Sequence, residues 1–297
     1  MSILVNSQTR ILIQGITGKQ GSQACREIIS YGGGDVVGGV TPGKGGQEVE
    51  GLPVFDTVFE ALKVLGQVDV SMIYAPPLLV CDAAFEAVEA KVPLVHIFAE
   101  NVPVLDVCKI LTLASEKGVR VLGPNSVGAI SPGEGKIGSI GGPNPDAVFS
   151  RGPVGVISKS GGMCSELGNL ITSGGFGQST VVGVGGDLLI GTTFSDLLVD
   201  FEQDNQTKVV VAFGEVGGSS EIEAARLLKE GKFKKPFIVY LAGKFAESLP
   251  KDTALGHAGA IVGLEATMEQ KIKVLRASGA IVAENFEDIP TLIKKSI

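Results

Sequence analysis

Short β-branched runs alternate with helical stretches along nearly the whole chain, and this alternation limits the possible folds more than any other feature. The first unit is the clearest. Arg10-Ile11-Leu12-Ile13-Gln14 reads as a strand, Gly15-Ile16-Thr17-Gly18-Lys19-Gln20-Gly21 follows at once as a glycine turn, and a helical pattern then runs to about Tyr31. Further strands are expected at 36–40, 68–74, 93–98 and 119–122, with helices at 58–65, 81–90 and 103–117. Strands alternating with helices of this length build βαβ units and a parallel sheet. From 130 to 151 the chain turns rich in Gly, Pro and Ser with little apolar periodicity, which reads as a boundary. A second alternation follows, with strands expected at 154–157, 180–184, 209–213, 237–241 and 280–283 and helices at 162–173, 195–202, 219–229, 266–277 and 289–295. The reading is an α/β protein of two doubly wound domains, 1–130 and 153–297, joined by a linker at 131–152. A length of 297 residues also favours two domains.

Composition narrows the function classes. Hydrophobic residues make up 44% and charged residues 19%, with 42 glycines, so the chain is globular rather than disordered. No apolar run reaches the ~18 residues that span a bilayer, and the start Met1-Ser2-Ile3-Leu4-Val5-Asn6 lacks the basic and apolar regions of a signal peptide. A net charge of −7 without a Lys/Arg-dense block argues against nucleic acid as a partner. Cys25, Cys81, Cys108 and Cys164 show no metal spacing and read as small core residues in a reducing compartment.

The turn at 15–21 has the plan of a phosphate site, because a glycine turn exposes N–H groups and the following helix N-terminus favours an anion. Its spacing is GxxGxxG, which by itself is weak evidence. The next strand, Val36 to Val40, ends in Thr41-Pro42-Gly43-Lys44-Gly45-Gly46 rather than in the acid a NAD site uses for its ribose. Lys44 in that turn suits a ribose phosphate and points to NADP or coenzyme A; the alternative is a solvated lysine. Ala75-Pro76-Pro77, Ala99-Glu100-Asn101 and Gly123-Pro124-Asn125-Ser126 also fall at carboxyl ends of strands, where such sheets bind ligands. His96 lies inside a strand pattern and reads as a satisfied core histidine.

The other histidine, His257, stands in Thr253-Ala254-Leu255-Gly256-His257-Ala258-Gly259-Ala260-Ile261, flanked by glycines. Imidazole is a good nucleophile near neutral pH and can carry a group covalently. The alternative is a surface histidine on a glycine turn. Two strand-to-helix turns favour the first reading. In Ser158-Lys159-Ser160-Gly161-Gly162, Ser160 can cap a helix whose N–H groups face an anion. In Gly214-Glu215-Val216-Gly217-Gly218-Ser219-Ser220, Glu215 can orient a charged imidazole. Gly183-Val184-Gly185-Gly186-Asp187 is a third glycine turn on the same edge.

The segments GITGKQG, VTPGKGG, GPNSVG, SKSGG, GVGGD, GEVGG and GHAGAI occur in this order over nearly the whole chain. Together they resemble the α subunit of succinyl-CoA synthetase, in the ADP/GDP-forming acyl-CoA synthetase superfamily. The resemblance implies a Rossmann-like CoA-binding domain followed by a flavodoxin-like ligase domain. It implies CoA contacts at Thr17, Gly18, Lys19, Gln20, Lys44, Phe98, Ala99 and Glu100, a phosphorylated His257 held by Glu215, and a phosphate cradle at Ser160, Gly161 and Gly162. It further implies a β subunit of ATP-grasp fold, in a heterodimer or heterotetramer, that binds ATP or GTP with Mg2+. The location implied is cytoplasmic, or the mitochondrial matrix had a targeting peptide been removed. One segment departs from the succinate pattern: Ser165 stands where a tyrosine is usual, and SGGM followed by a polar residue and Glu166 is similar to ATP-citrate lyase and citryl-CoA synthetase. The competing readings are a citrate- or malate-directed ligase, a non-catalytic CoA-binding protein and an NADP oxidoreductase. Retention of His257 with Glu215 speaks against the non-catalytic reading, because binding CoA needs neither residue. Nothing in the second half suggests the hydride-acceptor site that the oxidoreductase reading requires.

Overall fold

The computed structural model describes residues 3–243, 245, 249, 253–261 and 267–297. The first half runs β1 (Arg10–Gln14), α1 (Lys19–Tyr31), β2 (Asp35–Val40), β3 (Glu48–Val49), β4 (Leu52–Phe55), α2 (Val58–Leu65), β5 (Val70–Ile73), α3 (Val80–Glu89), β6 (Leu94–Ile97), α4 (Val104–Lys117) and β7 (Arg120–Leu122). The second half runs β8 (Gly128–Ser131), β9 (Gly135–Gly138), β10 (Arg151–Ser158), α5 (Gly161–Ser173), β11 (Gln178–Gly183), α6 (Phe194–Gln203), β12 (Val209–Glu215), α7 (Ser220–Lys229), β13 (Phe237–Ala242), β14 (Ala254–Leu255), β15 (His257–Ile261), α8 (Met268–Ala277), β16 (Ile281–Ala283) and α9 (Ile289–Ser296). The expected helix at 266–277 starts later, and its first residue lies outside the described residues.

The first sheet has the order β3-β4-β2-β1-β5-β6-β7. Its parallel strands β4-β2-β1-β5-β6-β7 follow the order of dinucleotide-binding domains. The second sheet has the order β16-β13-β12-β10-β11-β8-β9. Its parallel part, β16-β13-β12-β10-β11, is the flavodoxin-like order. β5 and β6 are buried along their length, as strands covered by helices on both faces must be. Where the order reverses, between β1 and β5 and between β10 and β12, neighbouring loops diverge and leave a crevice at the carboxyl edge.

The expected linker is the main correction. Residues 128–138 form an antiparallel hairpin, β8–β9, paired to β11 at the edge of the second sheet. Its glycines serve close approach rather than flexibility: a Cβ on Gly128 or Gly138 would strike the opposite backbone of the hairpin. The hairpin also ties the two sheets together. Buried Lys136 reaches the Gly142 carbonyl at 2.9 Å and Glu27 of α1 at 3.7 Å, and Ser139 meets the Tyr74 hydroxyl at 3.0 Å. One apolar cluster runs from Ile13 and Met72 through Ile137 to Ile157 and Val182, so the two domains share a core. The short strands β3 and β4 escape the alternation pattern because each is brief and β4 carries Pro53.

Cys25 and Cys164 are buried as expected and Cys81 is partly buried, but Cys108 is exposed on α4 and is no core residue. His96 is fully buried, and burial lowers its pKa to about 4. Its Nε2 lies 2.9 Å from the Ser126 carbonyl, whereas Nδ1 has no partner among the described residues. The ring is therefore neutral, with Nε2–H donating, and is satisfied on one side only.

Candidate functional site

Two cavities occupy the two switch points. The larger, of about 900 Å³, opens at the carboxyl edge of the first sheet and is lined by Gly18, Lys19, Gln20, Phe98, Ala99 and Glu100, together with Tyr74 and Asn125. Gly15 sits at φ +79° with its Cα against the Tyr74 carbonyl, and a Cβ on Gly21 would collide with the Gly15 carbonyl. Gly15 and Gly21 thus let the turn fold back and α1 pack closely on β1. The N-cap of α1 is Gly18, with no side chain capping the first turn, so these N–H groups remain available to an anion. This fits the pyrophosphate of coenzyme A. Of the expected contacts, Thr17 and Lys44 lie outside the lining. The Thr17 hydroxyl meets the Thr41 hydroxyl at 3.2 Å, joining the first turn to the end of β2. Lys44 is exposed on a turn braced by the Gly45 N–H donating to Asp56 at 2.8 Å.

The smaller cavity, of about 210 Å³, lies over the second sheet and is lined by Lys159, Gly186, Asp187, Glu215, Gly218 and Gly259 among others. β14 and β15 form a hairpin whose turn residue, Gly256, has φ +69° with open space around it. The hairpin docks by the Gly259 N–H donating to the Gly186 carbonyl at 3.0 Å. The His257 ring lies against Gly186, where a Cβ would come within 2.6 Å of Cγ. His257 Nδ1 is 2.8 Å from Glu215 Oε2, with the histidine side chain 30% and the glutamate 13% exposed. This bond to Glu215 raises the imidazole pKa above its ordinary value, outweighing partial burial. With Nδ1 engaged by the carboxylate, Nε2 is the nitrogen left to react.

Ser160 caps α5 by accepting from the Met163 N–H at 3.5 Å, and Gly161 also lines the larger cavity. Gly162 is exposed beside it, whereas Ser165 is half-buried one turn further along and lines neither cavity. The two cavities meet through Asn125, whose amide donates to Asp187 at 3.1 Å. Burial, helped by nearby Glu100, holds the Asp187 carboxyl above its ordinary value.

Beneath the Glu215 loop lies a buried ionic group that the sequence does not announce. Glu221 receives Lys159 at 3.0 Å and Lys271 at 2.7 Å. Lys271 also donates to the carbonyls of Glu215 at 2.9 Å and Gly217 at 2.6 Å. Burial alone would raise the Glu221 pKa, but the two ammonium groups outweigh it and hold the carboxyl below its ordinary value. In the linear chain Glu221 reads as an acid in a helix first turn and Lys271 as an ordinary helical lysine. Only packing makes them partners.

Residues 6–101 match the CoA binding domain family and residues 157–281 the CoA-ligase family. Fold and site therefore define a CoA-dependent ligase. The chain is 43% identical to succinate–CoA ligase [ADP-forming] subunit alpha 1 of Archaeoglobus fulgidus, over 99% of this chain and 98% of that one. It is 41% identical to the alpha subunit of Aquifex aeolicus over 99% of this chain and 94% of the relative, and 38% identical to an ADP-forming sulfoacetate-CoA ligase subunit of an Acholeplasma species over 99% and 98%. The chain belongs to the family of ADP-forming succinate–CoA ligase alpha subunits. ATP citrate lyase of Methanosaeta concilii, solved with (3S)-citryl-CoA, matches with a TM-score of 0.91 at 26% identity over 99% of this chain, which spans 50% of that longer chain.

Proposed function

We propose that this chain joins succinate to coenzyme A, reversibly, as the α subunit of a two-subunit ligase, with His257 carrying the phosphoryl group. The observation that carries this reading is the 2.8 Å bond between His257 Nδ1 and Glu215, the latter lining a cavity beside the proposed CoA cleft. In thioester synthesis, phospho-His257 gives its phosphoryl group to the carboxylate: the P–N bond breaks, a P–O bond forms, and Nε2 recovers its lone pair. The CoA thiol then displaces phosphate from the acyl phosphate to form the thioester. Glu215 keeps the ring in the Nδ1–H tautomer and stabilises the cationic phospho-imidazole. The Gly161 and Gly162 N–H groups at the start of α5, with Ser160 capping the same turn, supply dipoles to the phosphoryl oxygens. Thr17, Gly18, Lys19, Gln20, Phe98, Ala99 and Glu100 hold CoA, with Lys44 at its ribose phosphate and Ser165 near the acid. ATP or GTP with Mg2+ belongs to an ATP-grasp β subunit, and the location is cytoplasmic, in line with the bacterial and archaeal relatives. No described helix is long and apolar enough to cross a membrane.

The test is the chain co-expressed with its β subunit, supplied with ATP or GTP, Mg2+, CoA and succinate, citrate, malate or sulfoacetate in turn. Thioester from succinate supports the reading. Thioester from citrate alone, with succinate inert, would overturn the substrate and assign the SGGM segment to it. Base-stable, acid-labile phosphate on the wild-type protein, absent in His257→Ala, identifies the carrier.

A further inference from the structure

The buried ionic group does more than hold a loop. Lys271 spends all three ammonium donors, on Glu221, the Glu215 carbonyl and the Gly217 carbonyl. Lys159 does not. Its Nζ is 3.0 Å from Glu221 and 3.4 Å from the Gly217 carbonyl, so among the described residues its third donor has no partner. Lys159 is 92% buried by the measure of its 8% exposure, yet it lines the same cavity as Glu215 and Gly186, on which the His257 ring rests. Glu221 is thus a single carboxylate shared by two lysine side chains, one fully buried and one lining the cavity. A buried cation with an unspent donor facing a small cavity is costly unless an anion completes it.

We propose that Lys159 is a catalytic residue that donates directly to the phosphoryl group as it moves on or off His257, with Glu221 and Lys271 as positioning residues that aim it. This rests on His257 as the phosphoryl carrier. In the direction of nucleotide synthesis, Nε2 attacks the phosphorus of the acyl phosphate. The N–P bond forms, the P–O bond to the acyl group breaks, and the carboxylate leaves with the electron pair. The Nδ1 proton stays in the bond to Glu215, and Lys159 exchanges no proton. Its charge offsets that of the phosphoryl oxygens within the cavity.

The experiment uses the assembled α–β enzyme running from the acyl-CoA thioester, nucleoside diphosphate and inorganic phosphate. Lys159→Met is expected to raise the KM for phosphate about 10- to 150-fold, the conversion of one charge-assisted hydrogen bond of ~1.5–3 kcal/mol, while the KM for the thioester stays within twofold. Lys159→Arg restores most of the phosphate affinity. A purely structural role would lower kcat with all substrates and leave phosphate unfavoured by neither variant. If Lys159→Met fails to assemble, Lys159→Gln, which keeps a neutral donor toward Glu221 while Glu221 stays paired with Lys271 at 2.7 Å, is read in the same way. An unchanged phosphate KM in the assembled variant overturns the proposal. Absence of acid-labile label on wild-type His257 would instead overturn the underlying carrier reading.

Discussion

Gly186→Ala is the sharpest test of how His257, the proposed phosphoryl carrier, is held. Gly186 has no positive φ, so alanine costs nothing in backbone conformation there. The new Cβ would lie 2.6 Å from His257 Cγ and 2.7 Å from Cδ2, against the 3.4 Å at which ordinary contact begins. Ring and turn must therefore part by about 0.8 Å, a wedge of the kind that makes overpacking costly. Two bonds oppose that separation: the 3.0 Å Gly259 N–H to Gly186 carbonyl bond and the 2.8 Å His257–Glu215 bond. Losing one neutral and one charge-assisted bond removes ~2–4 kcal/mol from the docked state, roughly a 30- to 900-fold loss of its population. The rate of base-stable, acid-labile labelling of the assembled enzyme reads this, with CoA affinity unchanged as the control for folding. Gly256→Ala is the companion: φ is +69° with nothing near the added methyl, so only local strain of ~1–2 kcal/mol results. Labelling within twofold of wild type in Gly186→Ala would refute the idea that contact with Gly186 seats the imidazole.

Three further outcomes are expected. Glu215→Gln removes the largest influence raising the His257 pKa, so the ring becomes neutral at lower pH. The acid limb of the labelling profile should move to lower pH while the maximal rate falls; a limb that stays in place would remove Glu215 from this role. Glu221→Leu leaves two ammonium groups, one fully buried and one nearly so, without their carboxylate and should cost ~3–5 kcal/mol of stability, read by denaturant unfolding. Because the Glu221 pKa lies below its ordinary value of 4.5, its stabilisation is complete above that value and disappears as pH falls through the folded value, so the wild-type advantage over the variant should shrink only in that acid range. Lys44→Ala should weaken CoA more than dephospho-CoA in titration calorimetry, and equal losses would separate Lys44 from the ribose phosphate.

Much of the architecture was legible because it rests on local patterns. The alternation of β-branched runs and amphipathic helices is a property of neighbouring residues, so it specified two doubly wound domains and put the glycine turns at the carboxyl edges of strands. Glycine punctuation misled once. The Gly-, Pro- and Ser-rich run from 130 to 151 read as a boundary, whereas the structure uses the glycines of 128–138 for close backbone approach in a hairpin; around Gly256 the glycine turn is a positive-φ turn. Residue type in the chain cannot separate these uses, because the atom that would clash belongs to a distant segment.

The sequence by itself determined the class of the molecule and its chemical candidates: His257, Glu215, and the cradles at Thr17–Gln20 and Ser160–Gly162. Tertiary structure alone decided which groups meet. Glu215 and His257 are 42 positions apart and bond at 2.8 Å because the end of β12 and the β14–β15 hairpin converge on one switch point. Lys159, Glu221 and Lys271 come from a strand end and two helices, and read singly as surface residues. Their burial and their charge balance exist only once α7 and α8 pack under the Glu215 loop, since Coulomb interactions depend on distance in space and on excluded water, neither of which is written in residue order.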